Sequence, residues 1–283
     1  MCLSYSLAVG FKETINLLNA SSIVSISGGL RFYVAFLLAG KKPEISLCIA
    51  AILMVYATYT FDRAVKRKED EINRIDEENA NKNLALFIVF VSSSAAILIL
   101  AENGISPILV FFPFTMGLMY SKGINIGSFS LNLKRRLGIK NCFVAFTWSF
   151  TIIALVRPHG SPQLILIFVF FFSKSFINTI IFDFKDVTGD SYAGLTTFPL
   201  HFGEASTRLM LQIIHSSLHL ALIALSLLNL AEFELFILFY GWIVGIIYIF
   251  LYATSKKTIS RSLVIHGEWA HMLLFRSFVD QLF

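Results

Sequence analysis

The chain has 283 residues, 56% of them hydrophobic and only 14% charged, where a soluble domain carries about a quarter charged residues. So much apolar surface cannot be hidden under the polar skin that a soluble protein of this size needs, which excludes a soluble enzyme; the same hydrophobicity excludes disorder. The net charge of +5 then reads as basic loops facing anionic lipid, with no role for nucleic acid.

Apolar runs long enough to cross about 30 Å of hydrocarbon fall near 23–40, 45–61, 84–101, 105–120, 141–157, 162–182, 206–229 and 233–255. A weaker ninth segment, near 263–283, holds Trp269, Met272, Leu273, Leu274, Phe275 and Phe278 but also Glu268, Arg276 and Asp280. It either packs against the bundle or lies in the interface. The runs are continuous, not alternating, so a barrel of strands is excluded. The predicted fold is an all-α transmembrane bundle of eight to nine spans. No basic segment precedes an apolar core near the N-terminus, so no cleaved signal is expected. Cys2, Cys48 and Cys142 are scattered and suit neither a zinc site nor a disulfide framework.

Loops after even-numbered spans share one side, which holds 18 of the 23 Lys and Arg residues. The other side has Lys41, Lys42 and Arg157. The basic side should be cytoplasmic, with the N-terminus inside. The predicted cytoplasmic loops, 62–83, 121–140 and 184–205, are long, whereas the opposite connections are short. Long loops gathered on one face mark the working end.

Two acidic clusters sit at matching places there. The first starts at Asp62, at the end of the second span. The second reads Asp183-Phe-Lys-Asp186-Val-Thr-Gly-Asp190, at the end of the sixth. Their separation of 121 residues (183 minus 62) fits a duplicated four-helix unit, with halves near 20–120 and 141–255 of a single domain over 1–283. If the sixth span stays helical, Asp183, Asp186 and Asp190 lie at i, i+3 and i+7 on one face. Carboxylates crowded this way repel one another unless a cation sits between them, and hard oxygen donors suit Mg²⁺ that shares its shell with phosphate. Solvated loop ends are the competing reading for both clusters.

Within the spans, Arg31 follows Gly28-Gly29 and is expected to face a cavity, snorkelling being the alternative. Lys174 and Asn178 should also face inward. His215 and His219, at i and i+4, have metal-ligand spacing, but without a third ligand nearby they read as interhelical hydrogen-bonding groups.

The second cluster, followed by Gly194, Thr196-Thr197-Phe198-Pro199 and Gly203, resembles the second aspartate motif of the UbiA-type intramembrane prenyltransferases. The first motif of that superfamily, N-x-x-x-D-x-x-x-D, is similar to Thr58-x-x-x-Asp62-x-x-x-Lys66 followed by Arg67. Tyr120-Ser121, Lys134-Arg135-Arg136 and Asn141 also resemble the family pattern. The likeness runs from about 20 to 255. It implies two four-helix-like halves around a central cavity and a Mg²⁺-dependent enzyme that ionises an isoprenyl diphosphate. The prenyl cation then passes to a hydrophobic acceptor (aromatic, quinone precursor or lipid), or is quenched internally with no acceptor, as in the terpene synthases of the superfamily.

Carried over by position, Asp62, Asp186 and Asp190 are expected to be catalytic metal ligands, with Asp183 beside them. Lys134 and Arg135 are the expected diphosphate contacts, Lys134 with a catalytic share, and Arg67, Lys66, Thr58, Tyr120 and Asn178 complete the expected binding set. Two positions depart from the pattern: Thr58 stands where the family has Asn, and Lys66 where it has a second Asp. A transporter would also carry repeats and buried polar residues, but the acids cluster at one membrane face, which favours an enzyme.

Overall fold

Gly28 and Gly29 set the first helix contact. A Cβ on Gly29 would stand 2.3 Å from Cγ1 of Ile52, and one on Gly28 2.8 Å from Cγ2 of Val55. Glycine therefore lets α1 (Cys2–Leu38) lie close against α2 (Ile45–Ala64), the small-residue packing that membrane helices use when lipid removes the hydrophobic drive to associate. Helix α4 (Lys82–Glu102) repeats the device, burying Ala85, Ser92, Ala96 and Leu100.

The computed structural model describes residues 2–65, 70–73, 77, 79–122, 124–126, 129–131, 136–157, 160–256 and 261–282. After α2 come a short α3 (Asp70–Asn73), α4, a 3₁₀ turn (Pro107–Phe111) and α5 (Phe112–Lys122). A two-stranded antiparallel hairpin, β1 (Ile124–Ile126) and β2 (Phe129–Leu131), leads to α6 (Ile139–Val156) and α7 (Ser161–Tyr192). Then follow α8 (Phe198–Phe202), α9 (Glu204–Leu227), α10 (Leu235–Tyr252) and α11 (Arg261–Leu282). Among the described residues, seven helices are long and apolar enough to cross a membrane, and Pro107–Met119 is a shorter apolar one. The protein is an integral membrane bundle of helices with one short hairpin.

Two boundaries differ from the sequence reading. Helix α1 begins about twenty residues before the expected 23, because Leu17, Ser21 and Ser25 give this stretch a buried face. Helix α7 runs ten residues beyond 182, burying Phe184 and Asp190 beyond the apolar run. Much of the expected 184–205 loop is thus helix. Hydropathy marks what lipid touches and is blind to a helix continued by packing. The ninth segment packs against the bundle: α11 buries Ile265, Glu268, Trp269 and Met272, an i, i+3, i+4, i+7 stripe, and leaves Leu263, Leu274, Phe275 and Phe278 outward.

Candidate active site

Helix α7 brings the second acidic cluster onto one continuous helix, so Asp183, Asp186 and Asp190 do share the face that their spacing requires. Their surroundings differ. Asp186 is half-buried near the helix end, and Asp190 is buried. Arg261, at the start of α11, stands within electrostatic reach of Asp186. Gly189, between the two acids, is where the first loop docks: a Cβ there would lie 2.3 Å from Oδ1 of Asn73 in α3. A side chain at 189 would have to displace the Asn73 amide, and this approach ties the loop after α2 to the second motif.

Asp183, expected among the metal ligands, is engaged by two side chains of α6. Lys140 Nζ donates to its Oδ1 at 2.8 Å and Asn141 Nδ2 to its Oδ2 at 2.7 Å. One turn deeper than Asp186, it lies in the buried seam between α6 and α7, where an unpaired carboxylate would be costly. The pairing pins the start of α6 to α7. Asn141 Nδ2 also donates to Thr179 Oγ1 at 3.2 Å.

Asp62 occupies the last turn of α2, half-buried. Thr58, one turn earlier, donates its hydroxyl to Met54 O at 2.8 Å, which occupies its proton and leaves its lone pairs available. Arg63 pairs with Glu77 of the following loop. Lys66, Arg67, Lys134 and Arg135 lie outside the described residues, as does the side chain of Tyr120 at the end of α5.

Both acidic helix ends rise from one cavity. Its wall includes Val55 and Tyr59 of α2, Ser175, Asn178, Thr179 and Phe182 of α7, Ser27 and Arg31 of α1, Trp148 of α6 and His266 of α11. Tyr59 precedes Asp62 by one turn, and Phe182 precedes Asp186 by four residues on the same face, about 6 Å along the helix. The cavity measures about 60 Å³, room for a few waters. The indole of Trp148 stacks on Tyr59 with ring centroids 6.0 Å apart, and Phe182 stacks on His266 at 5.3 Å.

The rest of the wall is polar. Arg31 Nη1 donates to Ser175 Oγ at 3.0 Å, so this span arginine faces the cavity as expected. Ser27 Oγ, Arg31 Nε, both amide atoms of Asn178 and Nδ1 of His266 are buried and have no hydrogen-bond partner in the structure. Orphaned donors and acceptors around a cavity each cost about 1–3 kcal/mol until something bonds to them, so this wall is shaped for a polar group.

Behind the wall lies a feature that the sequence reading reached only in part. Lys174 is fully buried, and its partner is Glu268 of α11, also fully buried. His215 and His219 do serve interhelical and local hydrogen bonds: His215 Nε2 contacts Trp242 O at 3.1 Å and His219 Nδ1 contacts His215 O at 2.9 Å. Sequence reasoning names no role for Glu268, because its segment fits either packing against the bundle or lying in the interface. The available signal was Lys174: a charge inside an apolar span needs a partner, and few carboxylates lie in such runs.

The carboxylates fit a hard divalent cation by donor chemistry. Among the described residues no three metal-binding side chains converge on one point. A cation held by Asp62, Asp186 and Asp190 would take the rest of its shell from phosphate oxygens and water, as Mg²⁺ commonly does.

A model of the UbiA prenyltransferase family matches residues 21–266. Among solved structures, the chain is similar to that of a UbiA homolog from Archaeoglobus fulgidus bound to GPP and Mg²⁺, at 15% identity and a TM-score of 0.62 over 93% of this chain and 97% of that one. It is also similar to a structure of a UbiA homolog from the same organism bound to DMAPP and Mg²⁺, at 12% identity and a TM-score of 0.55, covering 94% and 99% of the two chains. At such identities the likeness speaks for the fold alone. No curated protein sequence matches significantly. The family pattern covers most of the chain, both acidic helix ends included, and the chain belongs to the UbiA prenyltransferase family.

Proposed function

We propose that the protein is an intramembrane prenyltransferase that takes an isoprenyl diphosphate at the acidic mouth and passes the prenyl group to an acceptor whose polar head binds the cavity wall. The carrying observation is that the Asp186–Asp190 face of α7 continues directly into that wall at Phe182 and Asn178. The A. fulgidus structures with GPP or DMAPP and Mg²⁺ support the choice of substrate and metal.

Asp62, Asp186 and Asp190 would hold Mg²⁺, which neutralises charge on the departing diphosphate. Asp183 is assigned a supporting role, fixing Lys140 and Asn141 beside the mouth. Lys134, Arg135, Lys66 and Arg67 are proposed as diphosphate contacts on the family pattern, and Lys66 brings an ammonium where that pattern has a carboxylate. Tyr59, Trp148 and Phe182 offer π faces to an allylic cation formed just beneath the acids. The buried wall excludes bulk water that would capture it.

Internal quenching, the terpene-synthase alternative, calls for apolar and aromatic surface along the path of the cation. Here the deeper wall carries Ser27, Arg31, Ser175, Asn178 and Thr179, which favours transfer. The test is diphosphate release from geranyl, farnesyl and geranylgeranyl diphosphates by purified protein with Mg²⁺, with and without a panel of phenolic, quinol and lipid-alcohol acceptors. Transfer predicts release that rises at least tenfold with one acceptor class and yields a prenylated product. Acceptor-independent release with a cyclic hydrocarbon product would establish the terpene-synthase reading instead, and no release from any mixture would refute both.

We also propose that the acidic end faces the cytoplasm, because the basic residues concentrate there. In a cysteine-free background, an impermeant thiol reagent outside intact cells should label Leu230→Cys and spare Tyr192→Cys. The reverse pattern would invert the topology.

A further inference from the structure

At the end of the bundle opposite the acids, a groove of about 640 Å³ lies between the 3₁₀ turn with the start of α5 and the last turns of α6. That volume falls within the roughly 300–1,000 Å³ of sites that hold small molecules. Leu109 and Phe112 form one wall, and Phe150 and Ala154 the other, with Arg157 at the rim. Phe150, Ala154 and Arg157 recur at i, i+4 and i+7, one stripe of α6. The small Ala154 leaves space in the middle of the stripe, and Phe150 closes on Phe112 with centroids 4.7 Å apart.

Arg157 and Lys41 bring positive charge to that rim. Lys41 Nζ donates to the carbonyls of Val156 and Arg157 at 3.2 and 2.6 Å. Two of the three basic residues predicted for this side therefore meet at the groove, with Lys42 next in sequence. Arg157 is exposed, and its guanidinium makes no hydrogen bond or ion pair among the described residues. Of the carboxylates at this end, Glu44, Glu102 and Glu232 are exposed, and Glu234 pairs with Arg276. An apolar channel open to lipid and capped by an unpaired guanidinium complements a molecule with a long hydrocarbon tail and an anionic head.

We propose that this groove binds an anionic phospholipid, one acyl chain lying between Phe112 and Ala154 and the phosphate resting on Arg157. Lys41 and Lys42 add positive field at the head group, each charge contributing as basic residues do near anionic lipid. The site is separate from the acidic mouth and does not depend on the proposed reaction.

Three probes added to delipidated, detergent-solubilised protein test it: phosphatidylglycerol, phosphatidylcholine and inorganic phosphate. Phosphatidylglycerol should raise the melting midpoint by about 3–6 °C through linkage to the folded state, phosphatidylcholine by less, and phosphate not at all. Arg157→Gln should raise the half-saturating phosphatidylglycerol about tenfold, the factor of one lost charge-assisted contact, and weaken the phosphatidylcholine response by less, because the choline cation already offsets that phosphate. Ala154→Phe, which fills the groove on a lipid-facing surface, should weaken the response to both lipids. Equal responses to the two lipids, a response to phosphate alone, or a wild-type phosphatidylglycerol titration in Arg157→Gln would overturn the proposal. Should Arg157→Gln fail to fold, an unchanged titration in Ala154→Phe overturns it equally.

Discussion

Asp186→Ala and Asp190→Ala should each lower turnover of a prenyl diphosphate by about 10²–10³-fold or more, as loss of one electrostatic contributor to a developing anion does elsewhere. Both proteins should still elute as wild type in detergent. The two acids sit three and seven residues beyond Asp183 on a helix that continues to Tyr192, so each can be truncated without breaking the α6–α7 clamp. Lys185→Ala is the control: its side chain is exposed on the same helix, and its loss should change turnover by no more than a few-fold. Asp183→Ala should behave differently. It removes the acceptor that Lys140 and Asn141 share and should first appear as lost stability, of about 1–3 kcal/mol. Titrating Mg²⁺ against rate separates the classes, because a ligand variant raises the half-saturating concentration and a folding variant lowers the active fraction at every concentration. Wild-type rates in Asp186→Ala and Asp190→Ala together would remove the metal assignment.

What was legible in the sequence follows from which interactions are local. The i, i+3, i+7 spacing of the acids survives as a helix face because α7 is a single element, and spacing along one helix is fixed by its pitch. The membrane class was legible because composition answers to solvent. Sequence periodicity placed neither the docking of Asn73 on Gly189 nor the capture of Asp183 by Lys140 and Asn141, which join residues 42 and 43 positions apart. Spacing puts Asp183 on the same face as Asp186 and Asp190 but says nothing about depth, and one helical turn places it in a seam. Helix α11 was the hardest element. Its charges diluted the apolar signal, yet the most buried of them, Glu268, is what the interior requires.

Glu268→Ala should be the most damaging single substitution to stability. Glu268 and Lys174 are both fully buried and paired, and truncating one partner of such a pair costs about 3–5 kcal/mol, which for a chain of this length lowers the melting midpoint by roughly 10 °C. The opposite truncation, Lys174→Met, should cost less, and the asymmetry has a stated cause. Arg31 lies 5.4 Å from the ring centroid of Trp269, and Lys174 lies 5.8 Å from the same ring. Without Glu268, two cations flank one indole with no anion between them. Without Lys174, Glu268 keeps Arg31 within its field. The residual bonds of Lys174, to Gly241 O at 3.4 Å and Tyr248 Oη at 3.5 Å, are too long to replace a carboxylate. Replacing both partners with methionine should recover much of the loss, because apolar groups of similar volume remove the desolvation cost along with the attraction. Melting the wild type, Glu268→Ala, Lys174→Met and the double methionine variant in one detergent decides it through the cycle of differences. Additive losses, or a Lys174→Met protein weaker than Glu268→Ala, would show that the pair and Arg31 do not share one electrostatic balance.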